Sequence, residues 1–184
     1  DDPGFVWLQD YHLALVPSML KAQRPDLLVA HFWHIPWPNY ESFRICPWRK
    51  EILWGLLGND LLGFHIQHHC DNFLRCCDRE LEVRVDRERC SVFHHGGIEA
   101  VVRPLPIGID AERIVTAVAS DSTALARETW RQQLGLAAET KVLLGVDRLD
   151  YTKGIPERLR AFSRLLESHA EWRERLVFVQ LGAT

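Results

Sequence analysis

An α/β fold with parallel sheets flanked by helices is predicted by three observations. Apolar runs of strand length at residues 5–9, 27–33 and 61–65 are each followed by residues whose apolar positions recur at helical spacing. Strands that alternate with helices in this way pair in parallel, because a parallel neighbour needs a crossover connection. A cluster of proline and glycine at residues 104–110 then punctuates the chain, after which the same alternation resumes.

The elements follow in order. Residues 13–20 carry a helical pattern that Arg24-Pro25-Asp26 breaks. His34-Ile35-Pro36-Trp37-Pro38 must leave the sheet, since proline cannot donate to a ladder. Residues 40–46 suit a short helix ended by Pro47, and residues 49–57 suit a second one closed by Gly58-Asn59. Residues 66–81 form a longer helix. Residues 90–94 and 100–103, separated by Gly96-Gly97, read as a hairpin. Beyond the boundary, residues 111–136 are helical with a polar interruption at 120–122. A strand at 142–146, a helix at 155–166 and a strand at 176–180 make a new βαβ unit. The expected division is residues 1–106 and 107–184.

The chain has 184 residues, 47% of them hydrophobic, enough for a core or parts of two. Its 22 Lys and Arg against 25 Asp and Glu give a net charge of −3, which excludes the basic field of a general nucleic-acid binder. No run approaches the roughly 20 apolar residues of a membrane span. With no signal pattern at the start, the expected location is the cytoplasm. Five cysteines without regular spacing read as free thiols rather than a disulfide framework. A start at Asp1 and a final strand with no covering helix after it suggest a piece of a larger protein.

Ligands of open α/β sheets bind beyond the carboxyl ends of the strands. Those positions hold Asp10-Tyr11-His12, the segment from His34 to Pro38, His65, and the segment from Asp147 to Gly154. Arg148 and Lys153 lie between an apolar strand and a helix start, where two cations and the helix dipole suit a diphosphate. The competing reading pairs Arg148 with Asp147 or Asp150. Asp10 can accept from two sugar hydroxyls or can cap the following helix. His34 can offer its imidazole and carbonyl to a ligand or can be structural. Trp37 is the tryptophan expected to stack on a sugar. His65, His68, His69 and Cys70 lack the paired spacing of a zinc site, so no metal is expected.

The segments from Val6 to Leu13, His34 to Pro38, Asp60 to His65, Pro106 to Asp110 and Asp147 to Gly154 occur in this order over nearly the whole chain. Together they resemble the trehalose-6-phosphate synthase family of glycosyltransferases. The resemblance implies the GT-B architecture, two Rossmann-like domains with a cleft between them. Residues 1–106 would be the later part of the acceptor-side domain, and residues 107–184 the start of the donor-side domain. It implies transfer of glucose, with retention, from a nucleotide-glucose, usually UDP-glucose, to glucose 6-phosphate. No cofactor or metal is implied, and the full-length protein could be a homo-oligomer. Asp10 matches the family's acceptor-binding aspartate, Arg148 and Lys153 its catalytic diphosphate-holding pair, and His34 its histidine beside the transferred glucose, counted with the catalytic and donor-binding residues. Trp37 stands where many members have phenylalanine. The fragment alone is expected to be inactive. The alternatives are a relative with another acceptor, such as glycerol 3-phosphate, and a non-catalytic sugar-phosphate-sensing module.

Overall fold

A computed structural model describes residues 4–95 and 97–183. The chain divides into two compact units between Ile109 and Asp110, a few residues past the boundary read from the proline and glycine cluster.

The first unit is a six-stranded sheet of β1 (Phe5–Gln9), β2 (Leu28–Phe32), β3 (Leu61–Phe64), β4 (Arg84–Asp86), β5 (Ser91–His94) and β6 (Ile98–Pro104). Its order is β1-β2-β3-β6-β5-β4. The first four strands in that order pair in parallel, in register from Phe5 opposite Leu28 to Phe64 opposite Pro104. The hairpin of β5 and β6 forms as expected, with Gly96 of its turn outside the described residues. β4 was not anticipated, because three residues with charges at both ends carry no strand pattern. Its antiparallel pairing with β5 makes it a strand, helped by the Arg84 guanidinium lying 4.1 Å from the Phe93 ring centroid. The sheet is therefore mixed, with an antiparallel edge on a parallel body.

Helices α1 (Val16–Gln23), α2 (Tyr40–Phe43), α3 (Arg49–Leu56) and α4 (Gln67–Glu80) fill the crossovers. α4 buries Cys70, Phe73, Leu74, Cys76 and Cys77, a stripe at the helical repeat that meets Leu62, Phe64, Val92 and Val102 of the sheet. Adjacent Cys76 and Cys77 both fall within this stripe, and burial pushes both thiols up.

α1 and α3 pack closely because α3 and its end carry glycine at the contact. A Cβ on Gly58 would stand 2.3 Å from the Ser18 backbone nitrogen, and one on Gly55 would stand 2.5 Å from the Ala14 carbonyl oxygen. Backbone cannot yield as a flexible side chain does. Gly58→Ala is therefore expected to lower stability by about 1–3 kcal/mol in urea unfolding. An unchanged midpoint would show that the two helices separate freely.

The second unit comprises α5 (Ala111–Val118), α6 (Asp121–Gln133), β7 (Lys141–Arg148), α7 (Ile155–Ser168) and β8 (Leu176–Ala183). Ser120 breaks the helical run as the sequence implied, its side chain accepting from the Thr123 N–H to cap α6. β7 and β8 pair in parallel from Lys141 opposite Leu176 to Arg148 opposite Ala183, with α7 as the crossover. Both strands run further than their apolar runs suggested, which places Arg148 at the last paired position of β7. Among the described residues, no helix is long and apolar enough to cross a membrane.

Candidate functional site

In the first unit, β1 and β2 end together, with Gln9 opposite Phe32. The Asp10 N–H still donates to the Phe32 carbonyl at 2.8 Å, and then the chain turns sharply. Asp10 has φ 59 and ψ 179, a conformation that costs a non-glycine residue about 1–3 kcal/mol. What it gains is direction: its carboxylate does not cap the following turn of Tyr11–Leu13 but accepts from the His34 backbone N–H at 3.3 Å. The capping alternative for Asp10 is thereby removed.

Two residues outside the expected site hold this corner. Buried His31 donates from Nε2 to the Asp10 carbonyl at 3.0 Å, bracing the strained turn from below. The Gln9 amide oxygen accepts from His34 Nε2 at 2.5 Å, which leaves His34 Nδ1 as an acceptor. Period-two alternation along β1 puts Gln9 and Trp7 on the face opposite buried Leu8, a signal present in the sequence. Trp7, Gln9, Phe32 and residues 104–107 line a groove of about 410 Å³. Asp10 and His34 are thus brought together at the carboxyl edge of the sheet.

Trp37 is not in this site, which corrects the sugar-stacking expectation. It is 1% exposed, its ring packs among Trp33, Phe43, Phe64 and Phe73, and its Nε1–H donates to Cys76 Sγ at 3.4 Å. The prolines on either side turn the indole inward to a core that also supplies its polar partner.

Burial pushes the His31 imidazole below its ordinary value, against the Asp10 carbonyl contact that raises it. His94, bonded through Nε2 to the Leu57 carbonyl, shifts down for the same reason. A lowered folded pKa means the unfolded chain binds protons first. This contribution is complete above about 6.5, the unfolded value, and is lost as pH falls through the folded values. The urea midpoint of the first unit's transition should therefore fall between pH 7.5 and 5.5, and His31→Leu should flatten that slope. An equally steep slope in the variant would remove His31 as its source.

In the second unit, the segment after β7 is a built loop. Asp150 accepts from both the Thr152 N–H and its hydroxyl at 2.9 Å, folding Tyr151–Lys153 into a 3₁₀ turn, and these bonds hold its carboxyl below the usual carboxylate range. Gly154, at φ 61, supplies the left-handed step into α7, and Pro156 sits in the first turn. Arg158, overlooked in the sequence, pairs with Asp147 and donates to the Lys153 carbonyl at 3.1 Å. Its hydrogen bond is also the main reason the Asp147 carboxyl stays low.

Asp147 and Asp150 are thus committed elsewhere, and Arg148 pairs with neither. Among the described residues, Arg148 and Lys153 are exposed cations without an ion-pair partner, beside the positive end of a 14-residue helix. Two free cations and a helix terminus suit a multiply charged anion. Among the described residues, no group of three or more His, Cys, Asp or Glu is placed to hold a metal ion.

Comparison with known proteins bears on the family and the fold. The profile of Glycosyltransferase family 20 matches residues 1–184. The trehalose-6-phosphate synthase of Mycobacterium ulcerans is 45% identical over 184 residues, covering 97% of this chain and 37% of that protein. An α,α-trehalose-phosphate synthase (UDP-forming) from Burkholderia xenovorans, solved with glucose-6-phosphate, superposes with a TM-score of 0.78 at 28% identity. It covers 99% of this chain and 40% of its own. The N-terminal domain of Candida albicans trehalose-6-phosphate phosphatase superposes at 0.76 with 34% identity, covering 99% and 38%. The chain therefore spans under half the length of these relatives. With a family profile matched from end to end and a relative 45% identical across nearly the whole segment, the chain belongs to glycosyltransferase family 20.

Proposed function

We propose that the full-length protein carrying this segment is a retaining glucosyltransferase that moves glucose from UDP-glucose to glucose 6-phosphate, giving trehalose 6-phosphate. The observation that carries the proposal is the pair of unpartnered cations, Arg148 and Lys153, on a loop whose own carboxylates are already engaged. Departure of a nucleoside diphosphate builds charge on its β-phosphate. Cations fixed in advance stabilise that charge more in the transition state than in the ground state. Asp10 accepts from acceptor hydroxyls, and His34, its tautomer set by Gln9, faces the transferred glucose. Residues 1–109 then carry the acceptor contact, Asp10, and the glucose contact, His34, while residues 110–184 carry the diphosphate contacts. The acceptor attacks from the face the leaving group departs, so no enzyme nucleophile is required. Charged sugar phosphates as substrates and five free cysteines both suit the cytoplasm.

A second reading is favoured by the likeness to the phosphatase's N-terminal domain: a module that binds sugar phosphates without turning them over. Incubating the full-length protein with labelled UDP-, ADP- or GDP-glucose and with glucose 6-phosphate or glycerol 3-phosphate separates the readings. A phosphorylated disaccharide from UDP-glucose and glucose 6-phosphate is expected. Thermal shifts with ligands but no product would replace the enzyme with the binding module.

A further inference from the structure

We propose that His65 is a second sugar-contacting residue, donating to or accepting from a hydroxyl of the glucose held against His34; this rests on the donor reading above. His65 directly follows β3, which lies next to β2 in the parallel sheet. The Phe32 ring meets both imidazoles edge-on, His34 at 4.7 Å and His65 at 5.0 Å. The imidazole centroids are 6.0 Å apart. Two imidazoles therefore share one aromatic support at the carboxyl edge.

The backbone on which His65 stands is fixed on both sides. The Gly63 carbonyl accepts from the Trp33 N–H at 2.9 Å, and the Phe64 carbonyl accepts from the Leu105 N–H at 2.6 Å. Gly63 is packed closely as well: a Cβ there would stand 2.6 Å from the Leu105 side chain, which would have to shift to admit it. A rigid strand end of this kind holds a contact residue more closely than a loop does.

The chemistry complements His34. With Nε2 committed to Gln9, His34 has only Nδ1 to offer and can accept but not donate. The half-buried His65 ring makes no hydrogen bond within the protein among the described residues, so it keeps one donor and one acceptor. A sugar hydroxyl is both donor and acceptor and needs such a partner.

If His65 only packs on Phe32, His65→Phe preserves its contribution; if it contacts sugar, the same change removes a hydrogen bond. In the full-length protein, His65→Phe is expected to lower kcat/KM for UDP-glucose by about 10-fold to 100-fold, the range of one lost polar partner. His65→Asn, which keeps a donor and an acceptor, should recover part of it, with Tm measured for each variant. Calorimetric binding of UDP-glucose analogues deoxygenated at O2, O3, O4 or O6 provides the cycle. One analogue should bind wild type more weakly than UDP-glucose does, yet bind His65→Phe as UDP-glucose does; His65→Leu replaces the Phe variant if that one does not fold. Unchanged kinetics and equal analogue losses in wild type and variant would overturn the proposal while leaving the donor reading standing. Failure of wild type to bind UDP-glucose would overturn both.

Discussion

Arg148→Ala and Lys153→Ala, each made in the full-length protein, are expected to lower kcat by roughly 10²-fold or more, the effect of removing one donor from a developing charge. The loss should fall on kcat rather than on KM alone, because the contact strengthens as the diphosphate departs. Arg148→Lys should restore only part of it, since an ammonium cannot reproduce the fork of a guanidinium. The fold should be indifferent to both changes: the two side chains are exposed, while Asp150, Gly154 and Arg158 shape the loop. A rate within twofold of wild type would reduce the pair to surface charges.

Trp37→Ala should cost about 3–5 kcal/mol of stability, the range for removing a large aromatic from a packed core. The indole is enclosed by four aromatic rings, and its loss also frees Cys76 Sγ from its hydrogen bond. Trp37→Phe should cost much less, because it keeps most of the ring contacts. Urea unfolding of the two variants checks the order. A full loss of activity in Trp37→Phe with unchanged stability would instead return Trp37 to the sugar site.

The strand and helix succession was legible because α4 and β7 announce themselves through apolar period and length. β4 was not, since three residues become a strand only when a neighbouring edge pairs with them. Asp10, His34, Arg148 and Lys153 were legible as polar residues at strand ends, a position that follows from the sheet's geometry. Their supports were harder to read. His31 braces Asp10 from across the neighbouring strand, and Arg158 reaches Asp147 from 11 positions away. Trp37 misled because a tryptophan between prolines next to a candidate histidine is equally compatible with a sugar platform and a core plug. Its surroundings, Phe73 and Cys76 on α4, lie far along the chain and decide between them.

The account rests on the diphosphate of the donor being held by the loop after β7. A crystal structure of the full-length protein with UDP-glucose, or with a fluorinated analogue that resists transfer, measures this directly. The account predicts β-phosphate oxygens within about 2.7–3.2 Å of the Arg148 guanidinium and Lys153 Nζ. A diphosphate bound elsewhere, with both cations still facing solvent, would contradict it.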